Sequence, residues 1–184
     1  MLNSSMNKKE IEDFLNGKGD FVQIDHLTRF LTRDKPPLEK RKFIFEKLAE
    51  IYEKKRMFQE AAKMWNNISL SSLTFKEKMQ SYVKEAELYV KAAKFDEADE
   101  AVKKAIGEAH GAERDIVTKT IKAFYKEQAL VYEKENRRSH AAKIYEKLLE
   151  MSITPQERQE IKDKLLPLYE RLGRVTEYFT LKKS

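Results

Sequence analysis

The sequence predicts an all-α chain of antiparallel helix pairs stacked one after another, and three observations predict it. A tyrosine returns at Tyr52, Tyr89, Tyr132 and Tyr169, at spacings of 37, 43 and 37 residues, which is the period of a helix-turn-helix repeat. An alanine stands nine residues after the tyrosine in three units (Ala61, Ala98, Ala141), with Tyr178 in the fourth, and another stands three before it (Ala49, Ala86, Ala129), with Leu166 in the fourth. The composition is 41% hydrophobic and 37% charged, with five glycines and four prolines in 184 residues, as expected of amphipathic helices joined by short connections. Small residues let helices approach closely, and connections of a few residues force neighbouring helices antiparallel.

Taken in order, a short helix from about Lys8 to Leu15 is stopped by Asn16-Gly17-Lys18-Gly19, and a second runs from about Phe21 to Leu31. Phe14 lies 38 residues before Tyr52, so this opening pair reads as a degenerate repeat that caps the stack. Asp34-Lys35-Pro36-Pro37 breaks the chain, because a residue before proline is driven from helical geometry. A helix from about Pro37 to Lys55 follows, with Leu38, Phe43, Ile44, Leu48, Ile51 and Tyr52 at three-and-four spacing, then one from about Phe58 to Ile68. Thr74 and Glu77 make a capping box that starts a helix at Phe75, running to about Ala93, and its partner spans about Asp96 to Ala109. The next helix, about Ala112 to Glu135, is long and takes up the six additional residues of the 43-residue period. Asn136 is expected to cap the helix that runs to about Met151. Thr154-Pro155-Gln156-Glu157 combines an N-cap, a proline at the first helical position and a capping-box glutamate. It opens a helix from about Pro155 to Arg171 in which Pro167 is expected to cause a kink, and Gly173 turns the chain into a last helix over about Val175 to Lys182.

The units resemble the tetratricopeptide repeat, whose motif asks in order for a large residue, a small one, a tyrosine, an alanine, an aromatic and a second alanine. The first unit supplies Phe45, Ala49, Tyr52, Ala61, Trp65 and Ile68; the second Tyr82, Ala86, Tyr89, Ala98, Val102 and Ala105; the third Tyr125, Ala129, Tyr132, Ala141, Tyr145 and Leu148. The fourth keeps Leu166, Tyr169 and Tyr178. Alanine replaces the glycine usual before the tyrosine, and the 43-residue period departs from the family's 34, so the likeness is to a divergent member. The resemblance covers roughly residues 40 to 180 and implies one short, right-handed α-solenoid domain. Its divisions are a capping pair (8–35), three repeats (37–72, 74–110, 112–152) and a truncated repeat (154–184).

In the resembling family the first helices line a concave groove that holds a peptide or a partner helix. The resemblance places there Phe43, Glu46, Glu50, Glu53 and Lys54, then Gln80, Val83, Glu87, Val90 and Lys91. The later units add Ala123, Lys126, Leu130, Glu133, Lys134, Glu160, Asp163, Pro167, Glu170 and Arg171. This face carries eight acids and five bases, so a net-basic protein would present a slightly acidic groove. The family's clamp for acidic C-terminal peptides is not implied, because Glu50, Glu87, Leu130 and Pro167 hold its asparagine place. The expected partner is a protein segment with basic and apolar side chains, such as an amphipathic helix.

The net charge is +6, with the excess in residues 137–184, which hold eleven bases and seven acids. Arg137, Arg138, Lys143, Lys147, Arg174, Lys182 and Lys183 therefore raise a second reading, a helical repeat that binds nucleic acid through its C-terminal face. A third is a subunit of a self-associating assembly. His26, His110 and His140 stand apart, no catalytic or metal-binding motif is present, and Gly17-Lys18-Gly19-Asp20 lacks the strand a phosphate loop needs. No catalytic, cofactor or metal site is expected. The chain has no cysteine, no apolar run of membrane-spanning length and no signal-peptide core, so a soluble cytoplasmic protein is expected.

Overall fold

The structure is a computed structural model and describes residues 2–183. Among these the chain forms ten helices and no strand: α1 (Lys8–Leu15), α2 (Asp20–Asp34), α3 (Leu38–Lys54), α4 (Phe58–Leu70), α5 (Phe75–Lys91), α6 (Phe95–Glu108), α7 (Ala112–Lys134), α8 (Arg138–Glu150), α9 (Pro155–Leu172) and α10 (Val175–Lys183). None of the helices is long and apolar enough to cross a membrane. The chain divides into two compact units, Met1–Val117 and Thr118–Ser184, and each is described by itself.

The recurrent tyrosines lie in the last turn of α3, α5, α7 and α9, and each anchors the same reversal. The N–H five residues on (Met57, Lys94, Arg137, Arg174) donates to the tyrosine carbonyl at 2.8–2.9 Å. The N–H four residues on (Arg56, Ala93, Asn136, Gly173) donates to the carbonyl of the residue after the tyrosine at 2.9–3.2 Å. These two bonds are the Schellman closure, which satisfies the last free carbonyls of a helix and requires a left-handed residue. Arg56, Ala93, Asn136 and Gly173 supply it, with φ of 58°, 57°, 58° and 68°. The next helix starts at once, since Ala61, Ala98, Ala141 and Tyr178 donate to the carbonyls of Met57, Lys94, Arg137 and Arg174. The tyrosine-to-alanine spacing is therefore the length of this closure plus one helical turn. Asn136 does not cap α8 as expected: it ends α7 in left-handed geometry, and Arg137 stands at the start of α8 with no side-chain cap bond.

Capping fixes other boundaries. Asn7 with Glu10 and Thr154 with Glu157 form complete capping boxes at α1 and α9, and the Thr74 side chain accepts from the Glu77 N–H at α5. α2 ends at Asp34, with Lys35 left-handed at φ 43° ahead of the two prolines. α7 has 23 residues against 17 in both α3 and α5, which accounts for the longer period. α9 continues through Pro167, which lies on its exposed side, so water can serve the Asp163 carbonyl that the proline leaves without a helical N–H.

In the first unit, α1, α2 and α3 share a core of Leu2, Ile11, Leu15, Leu27, Phe30, Ile44, Leu48 and Ile51. The repeat alanines Ala61, Ala86, Ala98 and Ala105 are completely buried, so α4, α5 and α6 meet where a larger side chain has no room. Within the second unit Ala129, Ala141, Tyr132, Ile144, Leu148 and Leu165 are likewise completely buried.

Three of the four turns hold a non-glycine residue in the left-handed region, which costs an L residue on the order of 1–2 kcal/mol. Ala93→Gly is expected to stabilise the protein by about 1 kcal/mol, after the added freedom of glycine in the unfolded chain is deducted. Gly173→Ala is expected to cost about 1 kcal/mol, from the backbone alone, since nothing lies within 4 Å of an added Cβ. Urea unfolding of both variants checks this pair, and the two shifts must have opposite signs.

Candidate interaction surfaces

The residues placed in the groove by resemblance fall into different environments. On α3 and α5 the outward charges do not stand as bare acids. Lys84 lies 3.5 Å from Glu53 and 3.3 Å from Glu87, and Lys91 lies 2.5 Å from Glu87. Glu53 also accepts from the Trp65 indole N–H at 3.2 Å. Burial pushes the Glu87 carboxyl up, but Lys91 and Lys84 outweigh it and hold the group below the ordinary carboxylate range. Lys47 pairs with Glu12 at 2.9 Å and Glu50 at 3.4 Å, and Lys54 with Asp20 at 3.0 Å. The acidic excess on this part of the face is thus offset by Lys47 and Lys84, which the positional carry-over leaves out.

Phe43 is half-buried against the core of α1 to α3, within cation–π distance of Lys8 and Lys47. Val90 is completely buried, so it does not belong to an open surface; as the residue after Tyr89, it sits where α5 tightens into its closing turn. Glu46, Val83 and Lys91 are half-buried, while Glu50, Lys54 and Gln80 are exposed. In the second unit Leu130 is 44% exposed, Lys134 and Asp163 are exposed, and Lys126 is half-buried. Asp163 accepts from the Gln159 amide at 2.8 Å.

Successive first helices are joined the same way in both units. Lys42 of α3 reaches Glu77 of α5 at 3.2 Å, and Lys122 of α7 reaches Glu157 of α9 at 3.1 Å. In each case the glutamate is three residues after the helix-starting threonine, and at α9 the Glu157 carboxylate also accepts from the Thr154 N–H at 3.0 Å, so it serves the helix start and the neighbouring helix together. Lys126 adds a second cation to Glu157 at 3.2 Å. The Thr154 N–H and these lysines pull the Glu157 carboxyl down to about 2. Glu133 accepts from the Tyr145 hydroxyl at 2.5 Å, as Glu53 does from Trp65.

Several residues of the basic C-terminal face are also engaged. Arg174 pairs with Glu146 and Glu177 at 2.6 and 2.8 Å and lies over the Tyr169 ring, and Arg137 lies over Tyr132 and 3.5 Å from Glu135. Tyr145 is buried, so it is not a stacking platform for a base. The histidines each lie against an aromatic ring, His26 on Phe14, His110 on Phe75 and His140 on Tyr132. Burial and the Arg137 charge lower the pKa of His140.

One feature escapes sequence reasoning. Glu85 is 3% exposed, and both its oxygens meet the Asn66 amide nitrogen, at 3.1 and 3.0 Å. It is one of the residues that line a cleft of about 480 Å³ bounded by α4, α5 and α6. Burial pushes its carboxyl above the ordinary range, and the Asn66 hydrogen bond and the Lys104 charge offset this only in part. The available signal was the register: Glu85 stands four residues before its tyrosine, where the equivalent residues are Leu48, Gln128 and Leu165.

Glu157→Gln tests the link between α7 and α9. A carboxylate held below its ordinary 4.5 stabilises the fold above that pH and loses its contribution as pH falls toward about 2. The variant is expected to be less stable than wild type at pH 7, with the difference closing between pH 4.5 and about 2. Urea midpoints across that range read it out, and a difference independent of pH would contradict the assignment.

The tetratricopeptide repeat family matches residues 125–159, which hold the third tyrosine, its closing turn, α8 and the Thr154–Glu157 capping box. No curated protein and no solved structure matches the chain. The family match over residues 125–159 and helix pairs closed by one recurring turn together support a tetratricopeptide-like helical-repeat protein.

Proposed function

We propose that the protein is a non-catalytic interaction module that holds a partner protein segment on the outward face of α3 and α5. The observation that carries this reading is the way those two helices are joined. Ion pairs from Lys42 to Glu77 and from Lys84 to Glu53 link α3 to α5, and we assign Glu46, Glu50, Gln80 and Val83 to the face that the two helices share. Helical repeats of the matched family commonly bind proteins, which supports the same reading. Glu46 brings negative charge to this surface, Glu50 a carboxylate shared with Lys47 and Val83 an apolar contact, so the partner is a helix or extended segment with basic and apolar side chains. The engaged arginines and the buried Tyr145 weigh against nucleic acid as the main ligand.

Glu46→Lys/Glu50→Lys tests the proposal without disturbing the Lys84 network. In a nuclease-treated pull-down from source-cell lysate, wild type is expected to retain proteins that the double variant loses, with both circular dichroism spectra equally helical. Identical protein profiles would remove this face from the function, and capture abolished by nuclease would transfer it to the basic C-terminal face.

A further inference from the structure

The cleft over Glu85 has a different origin from the face just discussed. Glu85 and Glu87 are two residues apart on α5, which places them about 200° apart around the helix. A carboxylate buried to 3% exposure is costly without a matched cation, and here its hydrogen-bond donor is a neutral amide. Lys104 is near enough to act through its charge but makes no ion pair with Glu85; its ammonium lies 5.5 Å from the centre of the Tyr82 ring. Helix packing does not demand an acid at this place. The equivalent residues of α3 and α9, Leu48 and Leu165, are buried leucines in the same position relative to their tyrosines. Leucine meets the packing need of this position in two repeats, the neutral Gln128 holds it in α7, and the charge of Glu85 is particular to α5.

The geometry points to a binding site for one cationic side chain of a partner protein, a guanidinium above all, seated in the cleft of α4, α5 and α6 with Glu85 as its counter-ion. Each Glu85 oxygen keeps lone-pair capacity beyond the Asn66 bond, and a guanidinium can engage both oxygens at once through its planar fork. Tyr89 is among the residues that line the cleft and is an aromatic neighbour of the kind a weakly hydrated planar cation favours. Glu97 and Glu100 add negative charge to the lining, Glu100 shared with Lys103 at 2.7 Å, against Lys63 of α4 and Lys104 of α6, which line the cleft as well. A volume of about 480 Å³ admits the guanidinium with its aliphatic stem. This site stands independently of the α3–α5 face.

The test is an amide NMR titration of the full chain with Nα-acetyl-arginine methylamide, beside the citrulline compound, which keeps the shape and lacks the charge. Saturable shifts are expected at residues 63–67, 85–89 and 97–104, with a dissociation constant on the order of millimolar for so small a probe, and citrulline binding at least about tenfold weaker. Glu85→Leu carries the residue found at the equivalent place in α9; it is expected to keep the helical spectrum and abolish the shifts. Should that variant not fold, Glu97→Gln/Glu100→Gln is expected to weaken arginine binding several-fold, and an unchanged affinity there would overturn the proposal. Equal binding of arginine and citrulline, shifts spread over surface glutamates elsewhere, or full binding by folded Glu85→Leu would each overturn it too. Glu46→Lys/Glu50→Lys is expected to leave the titration unchanged, so failure of the α3–α5 proposal and failure of this one are read separately.

Discussion

The structure depends on one backbone constraint: a helix that ends at a tyrosine must reverse within a few residues and start its partner immediately. The paired hydrogen bonds to the tyrosine carbonyl and its successor achieve this at all four reversals, with the left-handed residue between them. Because the following helix takes its first hydrogen bond from the very next carbonyl, the relative register of the two helices is set by the turn. That register is what brings Ala61, Ala98 and Ala141 into close helix crossings. The left-handed position tolerates arginine, alanine and asparagine as well as glycine, at a conformational cost that the buried helix contacts outweigh.

Electrostatics then work on a frame already set by that turn. The glutamate at the third position of α5 and α9 reaches back to a lysine on the preceding first helix, 35 residues earlier in both cases. Such contacts contribute modestly where they are exposed, and more where partial burial limits screening. Their larger effect is positional, because they align successive first helices and so determine which side chains share a surface. Other lysines, Lys47, Lys84 and Lys91, pair with Glu50, Glu53 and Glu87 and so offset much of the acid that a residue count assigns to that surface. Glu50 and Glu87 are therefore better described as members of charge networks than as a free negative field.

Much of the fold was legible because its signals are local. The tyrosine period, the Thr154-Pro155-Gln156-Glu157 start and the Asp34–Pro37 break each rest on backbone chemistry within a few residues, and the helices lie where those signals place them. Asparagine suits both a helix start and a left-handed helix end, and at Asn136 the positive φ and the bond from its N–H to the Glu133 carbonyl decide for the second. The surfaces were less legible. Val90 was assigned to the groove by position in a pattern, yet it is fully buried. Glu85 carries no local mark that sets it apart from the chain's other glutamates, since its burial depends on α4 and α6, which approach it from other parts of the chain.

By itself the sequence determined the all-α class, the repeat length, most helix boundaries and the alanine crossings, because hydrophobic period, capping and proline or glycine geometry act over one or two helical turns. The tertiary structure alone decided which charges neutralise one another, which tyrosine hydroxyl meets which glutamate, and which carboxylate is withdrawn from water. Those outcomes depend on side chains brought together from 12 to 35 residues apart, as with Tyr145 and Glu133 or Lys122 and Glu157, and no local propensity encodes such a meeting.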